Sequence, residues 1–358
     1  MEITLLFFSV LIGLAFGSFF GCCIYRLPRE ISLLKPAFSY CPTCQKSIAW
    51  YYNIPVFGWL WLRGRCHECG ERISPRYFLV EAITAAFFTA AFFRFGFPLM
   101  IPIWVFGSLL ILTTFIDIEF FLIPDILSKP GIAAGIAASL LFPELQGTSS
   151  RLLAGGLSTG GALIGGGLLY LVSELGKLAF GSYKVILSSP SPFSFQAASP
   201  ANARIVIDDE PFLWEEHFFR KKDRIRIRAE EVTINGEDFQ EIDLTFYHDR
   251  LETVRGTIPL ADLRSVVGRT AYAEFPREAM GLGDVKLIAA IGAFTGWAGV
   301  LFTIPAASLV GAIYGVGTIL IGRRDWSSKI PFGPYLAIGA IFWIFWGKEF
   351  LAWYRSFG

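Results

Sequence analysis

The chain has 358 residues, of which 54% are hydrophobic and only 17% are charged, and its mean hydropathy is +0.53. Soluble domains usually carry about 25% charged residues, so this composition excludes an ordinary water-soluble, disordered or fibrous protein. The net charge of +1 gives no case for a nucleic-acid partner. The sequence therefore predicts a protein whose surface faces lipid.

Apolar stretches follow one another along most of the chain. A spanning helix needs about 20 mostly apolar residues, and such stretches lie at 3–25, 77–95, 98–116, 130–143, 152–180, 284–296, 298–321 and 331–353. The first has no basic residue before it and no A-x-A-like cleavage site, so we expect a retained helix rather than a signal peptide. The stretches 130–143 and 284–296 are short and could be tilted or re-entrant. The fold class is thus an α-helical polytopic membrane protein with about eight spans.

Lys and Arg are concentrated on one side of this arrangement. The first loop carries Arg29, Lys35, Lys46, Arg63, Arg65, Arg72 and Arg76. Alternation of the spans places Lys129, the segment 181–283, Arg323, Arg324 and Lys329 on the same side. The opposite side keeps Arg94, Arg151, Lys348 and Arg355. Because basic loops stay inside, the first loop is predicted to be cytoplasmic and both termini exterior.

One segment differs from the rest in charge. Residues 204–278 hold 29 of the 61 Asp, Glu, Lys and Arg residues. Stretch 188–200 is rich in Ser, Pro and Ala, which is typical of a linker. After it, 224–228, 232–236 and 242–246 alternate polar and apolar residues as half-buried strands do, and Asn235-Gly236 favours a hairpin turn. An inserted β-rich cytoplasmic domain is predicted, with a structural or partner-docking role.

Four cysteines form two C-x2-C pairs, which are Cys41, Cys44, Cys66 and Cys69. Two such pairs indicate a zinc site, because converging thiolates suit a tetrahedral soft ion. Two disulfides are the alternative, and a reducing cytoplasm argues against them. All-thiolate coordination leaves no open position, so the zinc is expected to be structural and His67 not to be a ligand. Cys22 and Cys23 are expected to be buried thiols without chemistry.

Two aspartates lie at the ends of apolar stretches. Asp117 follows 109–116, and Asp284 closes Gly281-Leu282-Gly283-Asp284 before the stretch at 285–294. Alternation puts both at one membrane depth near the cytoplasm, where ionisable groups are costly and are functional candidates. Two carboxylates that meet provide one base to activate water and one acid.

Other roles are open for the acidic residues and their neighbours. Gly281 and Gly283 would let an extended peptide approach the helix end closely. Asp284 could instead cap its helix, Asp125 could cap the preceding one, and Lys286 could pair with Asp284.

Motifs spread along the chain are similar to those of the type IV prepilin leader peptidases, a family of bifunctional membrane aspartic proteases. The amino-terminal half has Gly17-Ser18-Phe19, Arg26-Leu27-Pro28, Cys41-Pro42-x-Cys44, Asn53-Ile54-Pro55, Leu62-Arg63-Gly64-Arg65-Cys66, Arg76-Tyr77 and Glu81. The protease half has Ile116-Asp117-x-Glu119, Ile123-Pro124-Asp125, Gly281-Leu282-Gly283-Asp284-Val285-Lys286 and Pro331-Phe332-Gly333-Pro334. Together these motifs are specific, although no single one would be.

The resemblance implies cleavage of a prepilin or pseudopilin leader after a glycine, then N-methylation from S-adenosylmethionine. It assigns catalysis to Asp117 and Asp284, with Asp125, Gly281, Gly283 and Lys286 supporting them, in a bacterial inner membrane with the site facing the cytoplasm. The domains it implies are 1–95 for methylation with the zinc loop at 28–76, a protease core of 96–180 and 276–358, and the insertion 181–275. The residues that bind the methyl donor stay unassigned, as does the oligomeric state.

Two other classes of function fit parts of the sequence. A zinc-bearing transporter or channel would place the aspartates on an ion path, and a non-enzymatic assembly protein would dock pilins through the insertion. Replacing Asp117 by Asn discriminates among the three, because transport or docking could tolerate the change and hydrolysis could not.

Overall fold

The structure is a computed structural model, and it describes residues 2–35, 38–196, 203–214, 218, 223–276, 280–322 and 330–356. Arg323, Arg324 and Lys329, which entered the orientation argument, lie outside the described residues, as do residues 197–200 of the expected linker. The chain forms two compact units, one of Met1–Tyr170 with Leu282–Gly358 and the other of Leu171–Gly281.

The first unit is helical. Within the described ranges the helices are α1 (Glu2–Arg26), α2 (Phe57–Trp61), α3 (Pro75–Phe95), α4 (Met100–Phe120), α5 (Asp125–Leu141), α6 (Arg151–Phe180), α7 (Leu282–Leu320) and α8 (Gly333–Arg355). The last ten residues of α6, 171–180, belong to the second unit. Their buried faces share an aromatic and aliphatic core that includes Phe20, Ile24, Val80 and Phe88. Exposed phenylalanines such as Phe7, Phe16 and Phe93 face outward, which suits contact with lipid.

Six described helices, namely α1, α3, α4, α6, α7 and α8, are long and apolar enough to cross a membrane. The chain is therefore a multi-pass membrane protein. The helix α5 has only 17 residues and is not among these six. The helix α7 is counted as one membrane-spanning helix, although the sequence predicts two spans in that region. The number of eight spans accordingly stays a prediction.

The helix α7 is not straight. Gly296 has φ 70° and ψ −177°, a backbone conformation outside the helical region that interrupts its 39 residues. Gly292 and Val300 lie four residues to either side of this point, and a Cβ added to Gly292 would be 2.9 Å from Val300 Cγ2. In a continuous helix residues eight apart are about 12 Å apart along the axis. The chain therefore turns back at Gly296 and makes a short arm followed by a longer one.

The second unit is built on antiparallel strands. As described, they are β1 (Ser182–Gln196), β2 (Arg204–Ile207), β3 (Glu210–Leu213), β4 (Arg224–Ile234), β5 (Glu237–Tyr247), β6 (Arg250–Thr253), β7 (Gly256–Pro259) and β8 (Val266–Pro276). They form one sheet in the order β3-β2-β1-β8-β4-β5-β6-β7. Alternate residues of β4, such as Ile225 and Ile227, are buried in its core. The predicted β-rich region is confirmed.

The hairpin turn lies at the predicted residues, but most of the predicted linker is part of a strand. Asn235 and Gly236 have φ of 51° and 92° and join β4 to β5. The Ser- and Pro-rich stretch from residue 188 to 196 belongs to β1, so the prediction of a linker is wrong for these residues. The β1–β8 register shifts between Ile186 and Ser191. This bulge accommodates Pro190, since bulges tolerate a residue that cannot donate to the ladder.

The pairing of β1 with β8 predicts that the insertion can be removed. Ser182 pairs with Pro276, and paired residues have Cα atoms about 5 Å apart. Replacing 182–276 by a short Gly/Ser bridge should therefore leave a protein that inserts into membranes and still cleaves prepilin. Gel mobility of the substrate measures this. Loss of cleavage in an inserted, folded variant would make the insertion part of the active site.

Candidate active site and metal centre

Asp117 lies in the last turn of α4 and is buried, with 5% of its surface exposed. Its Oδ2 accepts a hydrogen bond of 2.9 Å from the backbone N–H of Gly333, at the start of α8. A Cβ on Gly333 would lie 2.8 Å from that same oxygen. The Phe332-Gly333-Pro334 motif thus holds the Asp117 carboxylate, a role that sequence reasoning had not given to it.

Asp284 lies in the first turn of α7, after Leu282 and Gly283, so it is not the residue that precedes the helix. Gly283 packs on Ile123, which also lies against Gly333. Asp284 Oδ1 is fully buried and has no hydrogen-bond partner among the described residues. The two carboxylates are close enough for the charge on Asp117 to act on Asp284. The fold thus brings together the two aspartates that the sequence singled out.

Asp125 and Lys286 form a separate cluster beside the pair. Asp125 is the first residue of α5, after Pro124 at the cap position. It pairs with Lys286, and with Lys129 at 2.6 Å. The prediction that Lys286 could pair with Asp284 is wrong. Residues two apart on a helix do not face each other, and Lys286 pairs with Asp125 instead. Gly281 lies directly before α7.

Glu119 links the amino-terminal helices to this region. Arg76 forms an ion pair with Glu119, and Arg29 approaches it at 3.5 Å. Glu119 is two residues beyond Asp117 on α4, which is about 3 Å along the helix axis. The sequence showed Glu119 within a motif but gave it no partner, since both arginines are distant along the chain.

The four cysteines meet in the segment between α1 and α3. Their sulfur atoms all lie within 4.8 Å of one another, and the Sγ atoms of Cys41 and Cys69 are 3.8 Å apart. Four sulfurs at about 2.3 Å from a tetrahedral Zn²⁺ would be about 3.8 Å apart. All six cysteines are free thiols, so the disulfide alternative is wrong. His67 stacks on Tyr52 instead of joining the cluster.

The two C-x2-C turns have the same backbone pattern. The N–H of Gln45 donates to Cys41 O, and the N–H of Gly70 donates to Cys66 O. Both Gln45 and Gly70 take a positive φ, of 58° and 71°. This left-handed residue after the second cysteine of each pair closes the turn and directs both sulfurs inward, and glycine adopts it without strain.

Thiol electrostatics also fit a cation. Burial raises the pKa of the Cys41 thiol, but the backbone N–H groups of Cys44 and Thr43 donate to it and bring its pKa down to about 7. The backbone N–H of Glu71 lowers the pKa of the Cys69 thiol, but burial and the three neighbouring sulfurs outweigh it and raise this pKa to about 12. One thiolate forms readily and further ones are opposed, unless a metal ion offsets the accumulated negative charge.

A test of the Asp117 contact follows from the lack of space at Gly333. We expect Gly333→Ala to push the Asp117 carboxylate aside and to lower the cleavage rate by about 100-fold, as small misplacements of catalytic groups do. The matched control is Gly317→Ala, because a Cβ there meets no atom within 4 Å. Initial rates of prepilin cleavage measure the effect, and a near-normal rate for Gly333→Ala would contradict the role of this contact.

Two family profiles match the chain. The profile described as "Bacterial Peptidase A24 N-terminal domain" matches residues 11–95, which contain the cysteine cluster. The profile described as "Type IV leader peptidase family" matches residues 264–316, which contain Asp284. No solved structure matches the chain significantly.

Curated relatives match over long stretches. A protein of Klebsiella pneumoniae is 37% identical, over 54% of this chain and 90% of its own length. One of Aeromonas salmonicida is 28% identical over 98% of this chain and 94% of its own. One of Bacillus subtilis is 36% identical over 46% of this chain and 69% of its own. Each is named "Prepilin leader peptidase/N-methyltransferase".

Proposed function

This chain belongs to the prepilin leader peptidase/N-methyltransferase family, and we propose that Asp117 and Asp284 are the catalytic pair of its peptidase. The enzyme cleaves the leader from prepilins and N-methylates the product. One observation carries the assignment of residues. Two carboxylates that are distant in the sequence meet at one buried place, and Asp284 Oδ1 has no partner there among the described residues.

The hydrogen bonds suggest how the two roles divide. Asp117 accepts the N–H of Gly333, an interaction that favours the ionised carboxylate, so Asp117 is assigned the base. Asp284 Oδ1 accepts no hydrogen bond from the described residues, so Asp284 is assigned the protonated form and the role of the acid. Asp117 removes a proton from water as the water oxygen attacks the carbonyl carbon of the leader glycine, and Asp284 protonates the oxygen of that carbonyl. When the C–N bond breaks, Asp117 returns its proton to the leaving amine and Asp284 recovers one from the intermediate.

Neighbouring residues support this pair in the proposal. The Asp125–Lys286 ion pair ties the start of α5 to the start of α7, and it thereby fixes the short arm that carries Asp284. Gly283 packs its backbone closely on Ile123. With Gly281 next to it, the chain before Asp284 offers a narrow backbone edge against which an extended substrate peptide can lie.

The membrane topology supports a cytoplasmic site. In the proposed arrangement of eight crossings, the short arm of α7 and α5 each count as one. Arg29 and Arg76 lie beside Glu119, at the same end of α4 as Asp117. Basic residues mark the cytoplasmic side, so the proposal places the catalytic pair at the cytoplasmic face of a bacterial inner membrane.

The cysteine cluster is proposed to hold zinc in a structural role. The spacing of its sulfurs fits a tetrahedral ion, and four thiolates leave no position open for substrate or water. Cys41, Cys44, Cys66 and Cys69 would hold it. The proposed domains are then 1–95, with the zinc loop at 28–76, for methylation, 96–180 with 276–358 for proteolysis, and the inserted domain 181–275.

The methyl donor is proposed to be S-adenosylmethionine, and the substrate a prepilin or pseudopilin in the same bilayer. The experiment incubates purified enzyme with a prepilin, with and without the donor, and measures the intact mass of the product. We expect loss of the leader in both cases and the added mass of one methyl group only with the donor. Unprocessed prepilin in both reactions would overturn the proposal, as would processing by a preparation carrying Asp117→Asn.

A further inference from the structure

A cavity of about 640 Å³ lies in the amino-terminal half of the helical unit. Its volume falls within the ~300–1,000 Å³ of pockets that enclose a ligand of drug size. Its walls come from α1, from the segment 39–74 that carries the four cysteines (the cysteine loop), from the start of α3 and from Glu119 of α4. Neither Asp117 nor Asp284 lines it. The proposed peptidase chemistry therefore does not account for it.

A buried carboxylate forms part of the wall. Glu81, on α3, is only 8% exposed, and Gly17 of α1 packs directly on its Cα. Its Oε2 accepts a hydrogen bond of 2.6 Å from the N–H of Val56, and the Ser18 hydroxyl also donates to this carboxylate. Both contacts treat Glu81 as an acceptor, and a carboxylate has capacity for more. Glu81 thus has carboxylate oxygens that can contact whatever enters the cavity.

The backbone at Val56 is strained in a way that serves this contact. Val56 has φ 67° and ψ −53°, a conformation that a β-branched residue rarely adopts. The hydrogen bond to Glu81 holds it there. Backbone strain of this kind clusters at active sites and at segments that hold ligands.

Positive charge lines another part of the wall. The Nε of Arg76 is buried without a hydrogen-bond partner among the described residues, although its guanidinium pairs with Glu119. Arg29 lies nearby, with its guanidinium over the ring of Tyr25. A donor that is buried and unsatisfied costs free energy unless a ligand supplies the acceptor.

Aromatic rings complete the lining. Tyr52, whose ring stacks on His67, and Trp59 face the cavity from the cysteine loop, and Tyr77 faces it from α3. Such rings bind flat heterocycles by stacking and attract cations through their faces. One cavity therefore combines a buried carboxylate, an unsatisfied guanidinium donor and several rings.

We propose that this cavity is the binding site of the methyl donor, with Glu81 facing the sulfonium and Arg76 binding the methionyl carboxylate. The inference rests on the proposed use of S-adenosylmethionine, whose sulfonium, carboxylate and adenine match these three kinds of group. In the reaction the amine nitrogen of the cleaved pilin forms the new N–CH3 bond, the S–CH3 bond breaks, and its electron pair stays on sulfur. The nitrogen then loses a proton to water.

The location also suits the order of the two reactions. Arg76 is joined to Glu119, and Glu119 is only two residues from Asp117 on α4. Glu119 and Asp117 point to different sides of α4, because residues two apart on a helix do not face each other, but both lie at the same end of that helix. The amine is therefore released at the end of α4 that also lines the cavity. The cysteine loop forms one wall, which gives the metal site a definite function, since it shapes the donor pocket.

The test compares two ligands that differ in one charge. S-adenosylmethionine and its neutral thioether product S-adenosylhomocysteine are titrated into the full chain in detergent, and binding is measured calorimetrically. We expect Glu81→Gln to weaken binding of the sulfonium ligand about tenfold and of the thioether less than about threefold. Only the sulfonium ligand has a positively charged sulfur for Glu81 to contact. Arg76→Gln should weaken both about tenfold, since both carry the carboxylate.

Arg94→Gln is the matched control. Arg94 also lies on α3 and also pairs with a glutamate, Glu349, but it does not line the cavity. It should bind both ligands as the wild type does. Metal content and thermal unfolding report whether each variant is folded. Equal weakening of both ligands by Glu81→Gln, or no weakening by either cavity variant, would overturn the assignment.

Photolabelling of the wild type keeps the inference testable if a variant does not fold. An azido derivative of the donor should label peptides from 39–77 or from α1. Labelling elsewhere by an enzyme that methylates cleaved pilin would overturn the site and leave the proposed function intact. A wild type that cleaves prepilin but neither binds the donor nor methylates would overturn both the site and the methyltransferase part of the function.

Discussion

Asp117→Asn and Asp284→Asn should each abolish prepilin cleavage, with a loss of about 10⁴-fold or more, and the double variant should be no worse than either single one. The reason is that the two residues act as a unit on one water molecule, and removing either leaves no acid–base pair. Asn keeps the size of Asp and can still accept the N–H of Gly333 at Asp117. The measurement is the rate of leader release, with the variants shown to be inserted and folded.

Two further variants make this result specific. Asp125→Asn loses its ion pairs with Lys129 and Lys286, and exposed pairs contribute only about 0–1 kcal/mol each, so its rate should fall much less. Asp243→Asn, on the exposed face of β5 and paired with Arg228, should be normal. The assignment of the pair fails if either Asp117→Asn or Asp284→Asn releases mature pilin at a near-normal rate.

The second large effect is expected at the cysteine cluster. Purified enzyme should contain about one equivalent of zinc, and Cys41→Ser with Cys44→Ser should remove it. A structural zinc site contributes its binding free energy directly to folding, about 10–16 kcal/mol in small zinc peptides. Segment 38–74 should therefore become sensitive to protease, and methylation of a cleaved pilin should be lost. Elemental analysis and limited proteolysis measure the two effects.

Cys22→Ala is the control for this change. Cys22 lies on α1, outside the cluster of four sulfurs, so this variant should keep the metal and the protease resistance. The zinc proposal would be refuted by wild-type protein that is metal-free, has all its thiols intact and is as stable as the metal-bound form.

Features governed by local sequence were predicted well. The two C-x2-C pairs specify a four-sulfur cluster because each short turn fixes its own pair, and Asn235-Gly236 specifies a hairpin because few other residues allow its two positive φ values. The apolar stretches specify helices for the same kind of reason, since length and hydropathy suffice to recognise them.

Features that depend on distant partners were not predictable in this way. The stretch at 188–196 has a linker's composition, yet its pairing with β8 makes it a strand. Lys286 pairs with Asp125, which is distant in the sequence, and no local sequence pattern predicts this ion pair. Gly333 donates to Asp117 only because α8 begins where α4 ends. The reversal at Gly296 also depends on packing, so the apolar composition of α7 does not predict it.

The reversal of α7 at Gly296 affects how water reaches the scissile peptide bond of a substrate that lies in the membrane. The short arm of α7 has roughly 14 residues before Gly296, about 21 Å, and α5 next to it reaches about 26 Å. The hydrocarbon core of a bilayer is about 30 Å thick. Hydrophobic mismatch on this flank should draw the lipid headgroups inward and thin the bilayer beside Asp284. A pilin helix approaching from this side would find its scissile bond already near the aqueous boundary, without having to leave the membrane.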